Sequence, residues 1–303
     1  MRTAFIQQLI EEARSNEKIF LLIGDLGYNV VTPFAEEFPD RFINVGICEQ
    51  NMVGIASGLA MNGYNVYIYS IGNFPTLRCI EQIRNDVCYY RGNVKVVSVG
   101  AGFAYGSSGV SHHATEDIGM MRTLPNMVIC SPSDPSEARI ITHLSASYDG
   151  CMYIRLGKAG EKEIYTQPYT MNIGDIHCYR ESTGKSAIIA SGSILHYAVN
   201  WVKDNNINTA IYSLPFVKPI NREQLKALAD KHTNIIVIDE HQKSGGVASA
   251  ILEQLGDLYS EGKLQQFPKV HRLEIDDQFI YIAGNQQYLR DFTHLALNNT
   301  LFE

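Results

Sequence analysis

Short apolar runs alternate with amphipathic stretches along nearly the whole chain, and this alternation constrains the fold more than any other feature. The runs are rich in Val, Ile and Tyr, which is typical of strands buried on both faces of a parallel sheet. Helices are expected between them, so the pattern predicts an α/β fold. The first predicted strands are Ile19–Ile23, Phe42–Val45, Val66–Tyr69, Val94–Val99, Met127–Cys130 and Met152–Arg155.

The alternation is interrupted between about residues 157 and 184, where the sequence is polar and contains Tyr, Gly and Thr. We interpret this stretch as the connection between two domains, and 303 residues are enough for two cores. Two parallel-sheet α/β domains are therefore predicted, over residues 1–165 and 185–303. The later predicted strands are Ala187–Ala190, Thr209–Leu214, Ile235–Ile238 and Val270–Ile275, with helices at Leu195–Lys203, Arg222–Lys231 and Val247–Leu258.

Composition and charge exclude several classes of partner. A net charge of −7 leaves no basic surface for nucleic acid or anionic lipid. No stretch reaches the roughly 18 apolar residues of a membrane span, and the first twenty residues contain no signal-like apolar segment. The six cysteines form no Cys-x-x-Cys pair and are expected to be reduced, which predicts a cytoplasmic protein that acts on small molecules or other proteins.

Two segments carry the signature of a helix start. Asp134 provides an N-cap, followed by Pro135 and by Glu137 three residues past the cap, which predicts a helix to about Ser145. Glu49 stands where a strand turns into a helix, a position in which a carboxylate can be merely a favourable partner of the helix dipole. The helix after it has unusually small side chains, so close packing of another backbone against it is expected. The small residues are Gly54, Ala56, Ser57, Gly58 and Ala60.

The turn Gly46-Ile47-Cys48-Glu49-Gln50 resembles the Gly-x-x-Glu motif in the pyrimidine-binding domain of thiamine-diphosphate enzymes, in particular the transketolase and deoxyxylulose-phosphate synthase group. The resemblance implies that Glu49 hydrogen-bonds the aminopyrimidine ring of the cofactor and so promotes loss of the thiazolium proton. It also implies that Phe74 stacks on this ring and that Asp25, after the first strand, lies near the cofactor. Glu49, Phe74 and Asp25 are thus the candidate cofactor-binding residues.

The segment from Gly100 to Asp117 is similar to the Gly-rich loop of the same family, whose histidine faces the substrate. His112 aligns with that histidine, so the resemblance implies a catalytic role in handling protons on substrate oxygens. Adjacent His112 and His113 point apart on extended backbone, and we predict no metal site on this chain. The implied substrate contacts are His112, Ser108, Arg2, Arg155 and Lys158, of which the three cations are equally compatible with solvated surface charges.

Two segments of the second half, Leu214–Pro219 and Asp239–Gly246, resemble the transketolase C-terminal domain. The family uses that domain mainly for dimer contacts, so structural roles are expected for Glu240 and His241. The Gly-Asp-Gly motif with which the family binds diphosphate and Mg²⁺ does not occur in this chain. The resemblance therefore implies the C-terminal section of a split transketolase: a separate subunit supplies the diphosphate and Mg²⁺ site, and this chain forms a homodimer within a heterotetramer.

The expected activity is transfer of a two-carbon ketol unit from a ketose, in phosphorylated form, to an aldehyde, and only in complex with the partner subunit. Related half-enzymes remain alternatives, namely the beta subunit of a 2-oxoacid dehydrogenase and a deoxyxylulose-phosphate-synthase-like half. A silent scaffolding subunit has no chemical need for Glu49. A nicotinamide oxidoreductase is a remote alternative that rests on the spacing of Gly100, Gly102 and Gly106 after a strand.

Overall fold

The computed structural model describes all 303 residues of the chain. Twelve strands form two sheets. The strands are β1 (Ile19–Ile23), β2 (Phe42–Asn44), β3 (Asn65–Ile71), β4 (Val94–Val99), β5 (Val128–Cys130), β6 (Met152–Leu156), β7 (His177–Arg180), β8 (Ser186–Ala190), β9 (Ala210–Ser213), β10 (Phe216–Lys218), β11 (Asn234–Gln242) and β12 (Lys269–Ile275).

Ten α-helices connect or flank these strands, and α4 continues into a π-helix at Ile83–Cys88. None of the helices is both long and apolar enough to cross a bilayer. The helices are α1 (Arg2–Ser15), α2 (Thr32–Glu37), α3 (Glu49–Met61), α4 (Ile80–Gln82), α5 (Asp117–Arg122), α6 (Pro135–Ser147), α7 (Ile194–Asp204), α8 (Arg222–Lys231), α9 (Val247–Ser260) and α10 (Gln286–Phe292); short 3-10 turns occur at Pro39–Arg41, Leu77–Cys79, Gly106–Ser108, Val110–His112 and Asn299–Phe302.

The first sheet has the order β10-β5-β6-β4-β3-β1-β2 and the second the order β12-β11-β8-β9-β7. Both are parallel apart from one antiparallel edge strand each, β10 in the first sheet and β7 in the second. The predicted α/β class with two mainly parallel sheets is confirmed. The sequence patterns predicted neither β7 nor β10. β10 belongs to the segment that resembles the C-terminal domain, yet its Phe216 pairs with Cys130 in the first sheet.

The strands β1, β4 and β6 of the first sheet are buried on both faces, as their mainly apolar character predicts, whereas the edge strand β2 is partly exposed. Successive residues point to opposite faces, so Leu21 and Tyr67 pack in one core while Leu22 and Ile68 pack in the other. The second of these cores continues into residues of the other sheet, so both sheets share apolar packing. The carboxyl ends of the parallel strands meet at one edge, where the loops after β1, β3, β4 and β6 emerge.

Local signals for α6 operate as the sequence predicts. Asp134 Oδ1 accepts a hydrogen bond from the backbone N–H of Glu137 at 2.8 Å, and Glu137 Oε2 accepts one from the N–H of Ser133 at 2.6 Å. The first bond satisfies a backbone donor of the first helical turn, and the second holds Ser133, the residue before the N-cap, against the helix. The helix begins at Pro135 and runs to Ser147.

Candidate active site

Glu49 is the first residue of α3, and its side chain is only 2% exposed. Its Oε1 accepts a hydrogen bond from Ser70 Oγ of β3 at 3.1 Å, and its Oε2 accepts one from Arg78 Nη1 at 2.6 Å. An added Cβ on Gly24, just after β1, would lie 3.2 Å from Glu49 Oε1. Three neighbouring segments therefore fix one carboxylate at the carboxyl edge of the first sheet.

Arg78 is a site residue that the sequence analysis did not single out. Its guanidinium carbon lies 4.7 Å from the centre of the Phe74 ring, within the range of a cation–π contact. The arginine side chain is 46% exposed while its partner Glu49 is buried. We call Arg78 and Glu49 the cleft pair. Phe74 lies in the turn just before the 3-10 turn Leu77–Cys79, and Arg78 lies within that 3-10 turn, so no regular helical spacing marked the pair in the sequence.

His112 lies against the same aromatic ring. The ring centres of Phe74 and His112 are 5.3 Å apart in an edge-to-face arrangement, and His112 Nδ1 is 3.0 Å from Ser111 Oγ. Asn73 Nδ2 donates to the carbonyl of His113 at 2.8 Å, which joins the loop after β3 to the loop that carries the histidines. Glu49, Arg78, Phe74 and His112 are thus connected by successive contacts. The open cavity beside them measures about 490 Å³ and is lined by Phe74 and Arg78.

The two adjacent histidines occupy different environments. His112 is half-buried at the end of a 3-10 turn, whereas His113 is buried with Nε2 3.3 Å from the carbonyl oxygen of Gly106. Burial lowers the pKa of His113 and favours its neutral form. His113 also packs edge-on against Phe103, so its contacts are those of a core residue.

Asp25 follows β1 at the same edge of the sheet. Its backbone has a positive φ of 56°, and its exposed carboxylate accepts from Tyr28 Oη at 2.5 Å and from Asn44 Nδ2 at 2.9 Å. The hydrogen bond from Tyr28, with the one from Asn44, lowers the pKa of Asp25, so this group is held as a carboxylate. Asp25 therefore offers a fixed carboxylate, as a negative charge or a hydrogen-bond acceptor, to a group that binds at this edge of the sheet.

Arg2 and Lys158 are brought together around the amino terminus. The terminal ammonium of Met1 donates to the carbonyl oxygen of Lys158 at 3.1 Å, and Arg2 Nη1 donates to Tyr105 Oη at 3.4 Å. Both cationic side chains are partly exposed, and neither forms an ion pair. Ser108 is exposed in the 3-10 turn before the His112 turn. The cationic and hydroxyl groups thus flank the Gly-rich loop.

Arg155 is placed differently from the expectation of a substrate contact or a solvated charge. It is 2% exposed, its Nε donates to Asp117 Oδ2 at 2.7 Å, and its Nη2 donates to the carbonyl oxygens of Ala114 at 2.7 Å and Glu240 at 3.0 Å. We call Arg155 and Asp117 the interior pair. Its donors are engaged between the two sheets, so the structure corrects the expectation: Arg155 joins the domains and is not presented to a substrate.

Glu240 fixes the Gly-rich loop from the second sheet. Its Oε2 accepts from the backbone N–H of Phe103 at 2.9 Å, and Gln286 and Arg290 hydrogen-bond the same carboxylate. A Cβ added to Gly102 would collide with Glu240. Corresponding space at Gly100 and Gly106 is filled by the side chains of Tyr105 and Leu289. These glycines admit protein side chains rather than a pyrophosphate, which argues against the dinucleotide alternative.

Comparison with known proteins identifies both halves of the chain. Residues 1–160 match the family model of the transketolase pyrimidine binding domain, and residues 177–274 match that of the transketolase C-terminal domain. The chain is 31% identical over 261 residues to an apulose-4-phosphate transketolase subunit of Phocaeicola vulgatus, across 84% of this chain and 83% of that protein. It is 34% identical over 285 residues to a putative transketolase C-terminal section of Methanocaldococcus jannaschii, across 92% and 87%.

Two solved structures resemble the fold over 97% of the chain. A split gene transketolase, described as an inactive beta4 tetramer, superposes with a TM-score of 0.83 at 32% identity and is covered over 93% of its length. Transketolase from Campylobacter jejuni superposes with a TM-score of 0.75 at 17% identity, which shows the shared fold, and this chain covers 44% of it.

A transketolase pyrimidine-binding domain followed by a transketolase C-terminal domain defines the class as a transferase of a thiamine-diphosphate-dependent family. The chain belongs to the transketolase family and corresponds to the C-terminal section of a split transketolase. These matches confirm the family, the fold class and the split form that the sequence predicts.

Proposed function

We propose that Glu49, Phe74 and Asp25 form the pyrimidine side of a thiamine-diphosphate site that a separate subunit completes with diphosphate-binding groups and Mg²⁺. The pyrimidine-binding domain comprises residues 1–165 and the C-terminal domain residues 185–303. The observation that carries this proposal is the cleft pair: Arg78 connects the buried carboxylate of Glu49 to the ring of Phe74, and Arg78 and Phe74 line an open cavity.

The residues present fit the cofactor. A protein holds an aminopyrimidine ring with a carboxyl group for a ring nitrogen and an apolar face for the ring, and Glu49 and the half-buried Phe74 supply these groups. When bound, thiamine diphosphate supplies the nucleophilic carbon that carries the ketol fragment. Glu49 holds a proton at the ring nitrogen, and Ser70 orients its other oxygen. Arg78 is half-exposed, so it can leave the carboxylate by rotation of its own side chain.

His112 and the cations serve the substrate in this proposal. The half-buried imidazole of His112 exchanges protons with substrate oxygens, and the Phe74 ring packs edge-on against it. Arg2 and Lys158 offer positive charge to a phosphorylated ketose, and Ser108 offers a hydroxyl in the exposed turn next to His112. The proposed reaction moves a two-carbon ketol unit from a ketose phosphate to an aldehyde.

The exposed face of α3 supports contact with the partner subunit. Added Cβ atoms on Gly54 and Gly58 would meet nothing within 4 Å, so packing inside this chain does not account for these glycines. Ile47, just before the helix, is 77% exposed, and Met61 at its end is 64% exposed. Because Glu49 begins the same helix, a chain that packs on this face borders the site. We assign the face to the diphosphate-binding subunit, within a heterotetramer that contains two copies of each chain.

A cytoplasmic location is part of the proposal. All six cysteines are free thiols, which suits a reducing compartment.

The role of Glu49 is tested by Glu49→Gln in the complex reconstituted with the diphosphate-binding subunit. We expect turnover to fall by about 100-fold or more, because the amide cannot hold the transferable proton. Cofactor affinity from calorimetry and subunit assembly from gel filtration are measured on the same samples. Glu36→Gln, an exposed glutamate of α2 without an ion pair, is the control and should retain full activity. Unchanged turnover of Glu49→Gln contradicts the proposal.

The partner-binding face is tested by two substitutions at one position. Gly58→Ala is expected to stabilise the isolated chain by about 0.5–1 kcal/mol, since alanine is the better helix former and finds open space. Gly58→Leu is expected to leave the isolated chain folded but to weaken assembly at least tenfold, because the larger side chain separates the two backbones. Normal assembly of Gly58→Leu would place the partner elsewhere.

A deoxyxylulose-phosphate-synthase-like half is the second candidate. The chain is 32% identical over 283 residues to 1-deoxy-D-xylulose-5-phosphate synthase of Caldanaerobacter subterraneus, across 91% of this chain and 44% of that protein. The two candidates differ in their donor. We expect the reconstituted complex to consume a ketose phosphate with an aldehyde acceptor and to leave a 2-oxoacid unchanged. Carbon dioxide release from the 2-oxoacid favours the second candidate or the 2-oxoacid dehydrogenase alternative, which product analysis separates.

A further inference from the structure

Cys88 and Cys151 form the thiol–thiol contact of this chain. Cys88 ends the π-helix and Cys151 directly precedes β6, and their sulfur atoms are 3.8 Å apart. Both side chains are buried. Neither residue belongs to the site described above, because the amino end of β6 lies at the opposite edge of the sheet from its carboxyl end.

Asn126 links the two cysteines. Its carbonyl oxygen accepts a hydrogen bond from Cys151 Sγ at 3.2 Å, and its side-chain Nδ2 donates to the carbonyl oxygen of Cys88 at 3.1 Å. Asn126 has a left-handed backbone with φ of 67°, and it is exposed. One surface turn therefore holds both cysteine segments together and keeps their sulfur atoms adjacent.

A buried ammonium group stands beside this pair. Lys95 Nζ donates to the carbonyl oxygens of Tyr148 and Gly150, both at 2.8 Å, so it is anchored next to Cys151. Burial lowers the pKa of Lys95 to about 7, so part of the population carries the charge at neutral pH. Lys218 adds a second positive charge from β10.

These surroundings make the two thiols unequal. The hydrogen bond with Cys88, aided by the two lysines, lowers the pKa of Cys151, while the same hydrogen bond and burial raise the pKa of Cys88. Lys95 is anchored at the carbonyl oxygen of Gly150, next to Cys151, so we assign the attack on an electrophile to Cys151 and the following step to Cys88.

We propose that Cys88 and Cys151 are a reversible redox pair, oxidised to an intramolecular disulfide by a peroxide. The Cys151 thiolate attacks one peroxide oxygen and the O–O bond breaks. Hydroxide is the leaving group, and Cys151 becomes a sulfenic acid. Cys88 sulfur then attacks that sulfur, the S–O bond breaks, and water leaves. In total two thiols and one hydrogen peroxide give one disulfide and two waters, and a dithiol reductant reverses the change by exchange.

The position of the pair connects it to the surface and to the cleft pair. Cys88 is buried but is followed by the exposed residues Tyr89 and Tyr90, so its thiol lies directly beneath surface residues. Cys88 also ends the continuous helical segment that starts at Leu77, beside Arg78 of the cleft pair. A disulfide ties the far end of that segment to the start of β6.

The test begins with the unmodified full chain. Samples are treated with graded hydrogen peroxide, alkylated, digested without reduction and analysed by mass spectrometry. We expect a cross-linked peptide that contains Cys88 and Cys151, two hydrogen masses lighter than the sum of its parts and lost after dithiothreitol. Oxidation is also expected to raise Tm reversibly by about 5 °C. Cys130, buried without a neighbouring sulfur, is the internal control and should remain a free thiol.

Two variants separate the roles of the sulfur atoms. In Cys88→Ala the cross-link should be absent and the sulfenic acid on Cys151 should accumulate, detectable by a dimedone adduct. In Cys151→Ala neither product should form on Cys88 at the same peroxide dose. The proposal is overturned if the unmodified chain yields no Cys88–Cys151 cross-link at doses that oxidise the exposed Cys48. Cross-links to other cysteines at equal yield overturn it as well.

Discussion

The interior pair and the cleft pair are built from the same two kinds of group but in opposite surroundings. Asp117 and Arg155 are buried together, and Tyr153 donates to the same carboxylate oxygen at 2.5 Å. Glu49 is equally buried, yet its partner Arg78 reaches it from the solvent side of an open cavity. The first pair is enclosed by residues of this chain, whereas the second borders space for a group from outside.

The difference teaches that an ion pair alone does not identify a functional site. Burying both ions costs free energy that hydrogen bonds must offset. Arg155 donates to carbonyl oxygens of both domains, while Asp117 Oδ1 has no hydrogen-bond partner. In the cleft pair, the half-exposed Arg78 can move into solvent while Glu49 stays buried and binds another group. Substitutions in the two pairs should therefore differ in their effect on stability.

The largest effect on stability is expected for Arg155→Met. This change leaves Asp117 buried without its cation, and the free energy of unfolding should fall by about 3–5 kcal/mol. Urea denaturation of the isolated chain measures it. Arg139→Met removes a surface pair with Glu163 and is the matched control, with an expected loss below about 1 kcal/mol. Equal losses in both variants would remove the distinction between interior and exposed pairs.

Next in size is a pH effect at Asp239, which lies 3.6 Å from Arg155. Burial raises the pKa of Asp239 to about 8; Arg155 opposes the shift, while Glu274, Asp117 and Glu240 add to it. Because the pKa is near 4 in the unfolded chain, the folded chain binds the extra proton between these values. Stability should therefore fall as pH rises from about 4 to 8.

Asp239→Asn should remove this contribution, by up to about 1.4 kcal/mol per pH unit. The measurement is the urea midpoint between pH 5 and 8, with the exposed-pair variant Asp230→Asn as control. Some slope of the same sign should remain, because burial also raises the pKa of Glu274 to about 7. An unchanged slope in Asp239→Asn would show that Asp239 is already ionised in the folded chain.

The smallest effect on stability is expected for Arg78→Met. Water replaces the half-exposed guanidinium beside Glu49, so the free energy of unfolding should change by less than about 1 kcal/mol. The same variant should alter cofactor affinity in the reconstituted complex, because Glu49 then has no competing cation. A stability loss as large as that of Arg155→Met would make the cleft pair a second structural pair.

The secondary structure was predictable where the local signal is strong. β1, β4 and α8 have the predicted bounds, because unbroken apolar runs and amphipathic periodicity depend only on neighbours in sequence. β10 was not predicted as a strand, because its pairing with Cys130 joins residues that are far apart in the chain. Its three residues, Phe216–Lys218, do not indicate which sheet edge they cover.

The site was predictable only in part. Sequence motifs selected Glu49, Phe74 and His112, and the structure brings these three side chains together around Arg78. Their proposed chemistry still depends on the experiments above. Arg78 lacked a motif of its own, and Arg155 was misassigned because a charged residue at the end of a strand has the same local sequence whether it faces solvent or a second domain.

The hydrogen bond from the backbone N–H of Phe103 to Glu240 joins the Gly-rich loop of the first domain to the second sheet. The loop that carries His112 is therefore held by Glu240, a residue more than a hundred positions downstream. Arg290 and Gln286, near the carboxyl terminus, hydrogen-bond the same carboxylate. A truncated chain that ends after β6 would lack both the Glu240 contact and β10, the edge strand of its own sheet. Chimeras made to alter specificity should therefore exchange both domains together.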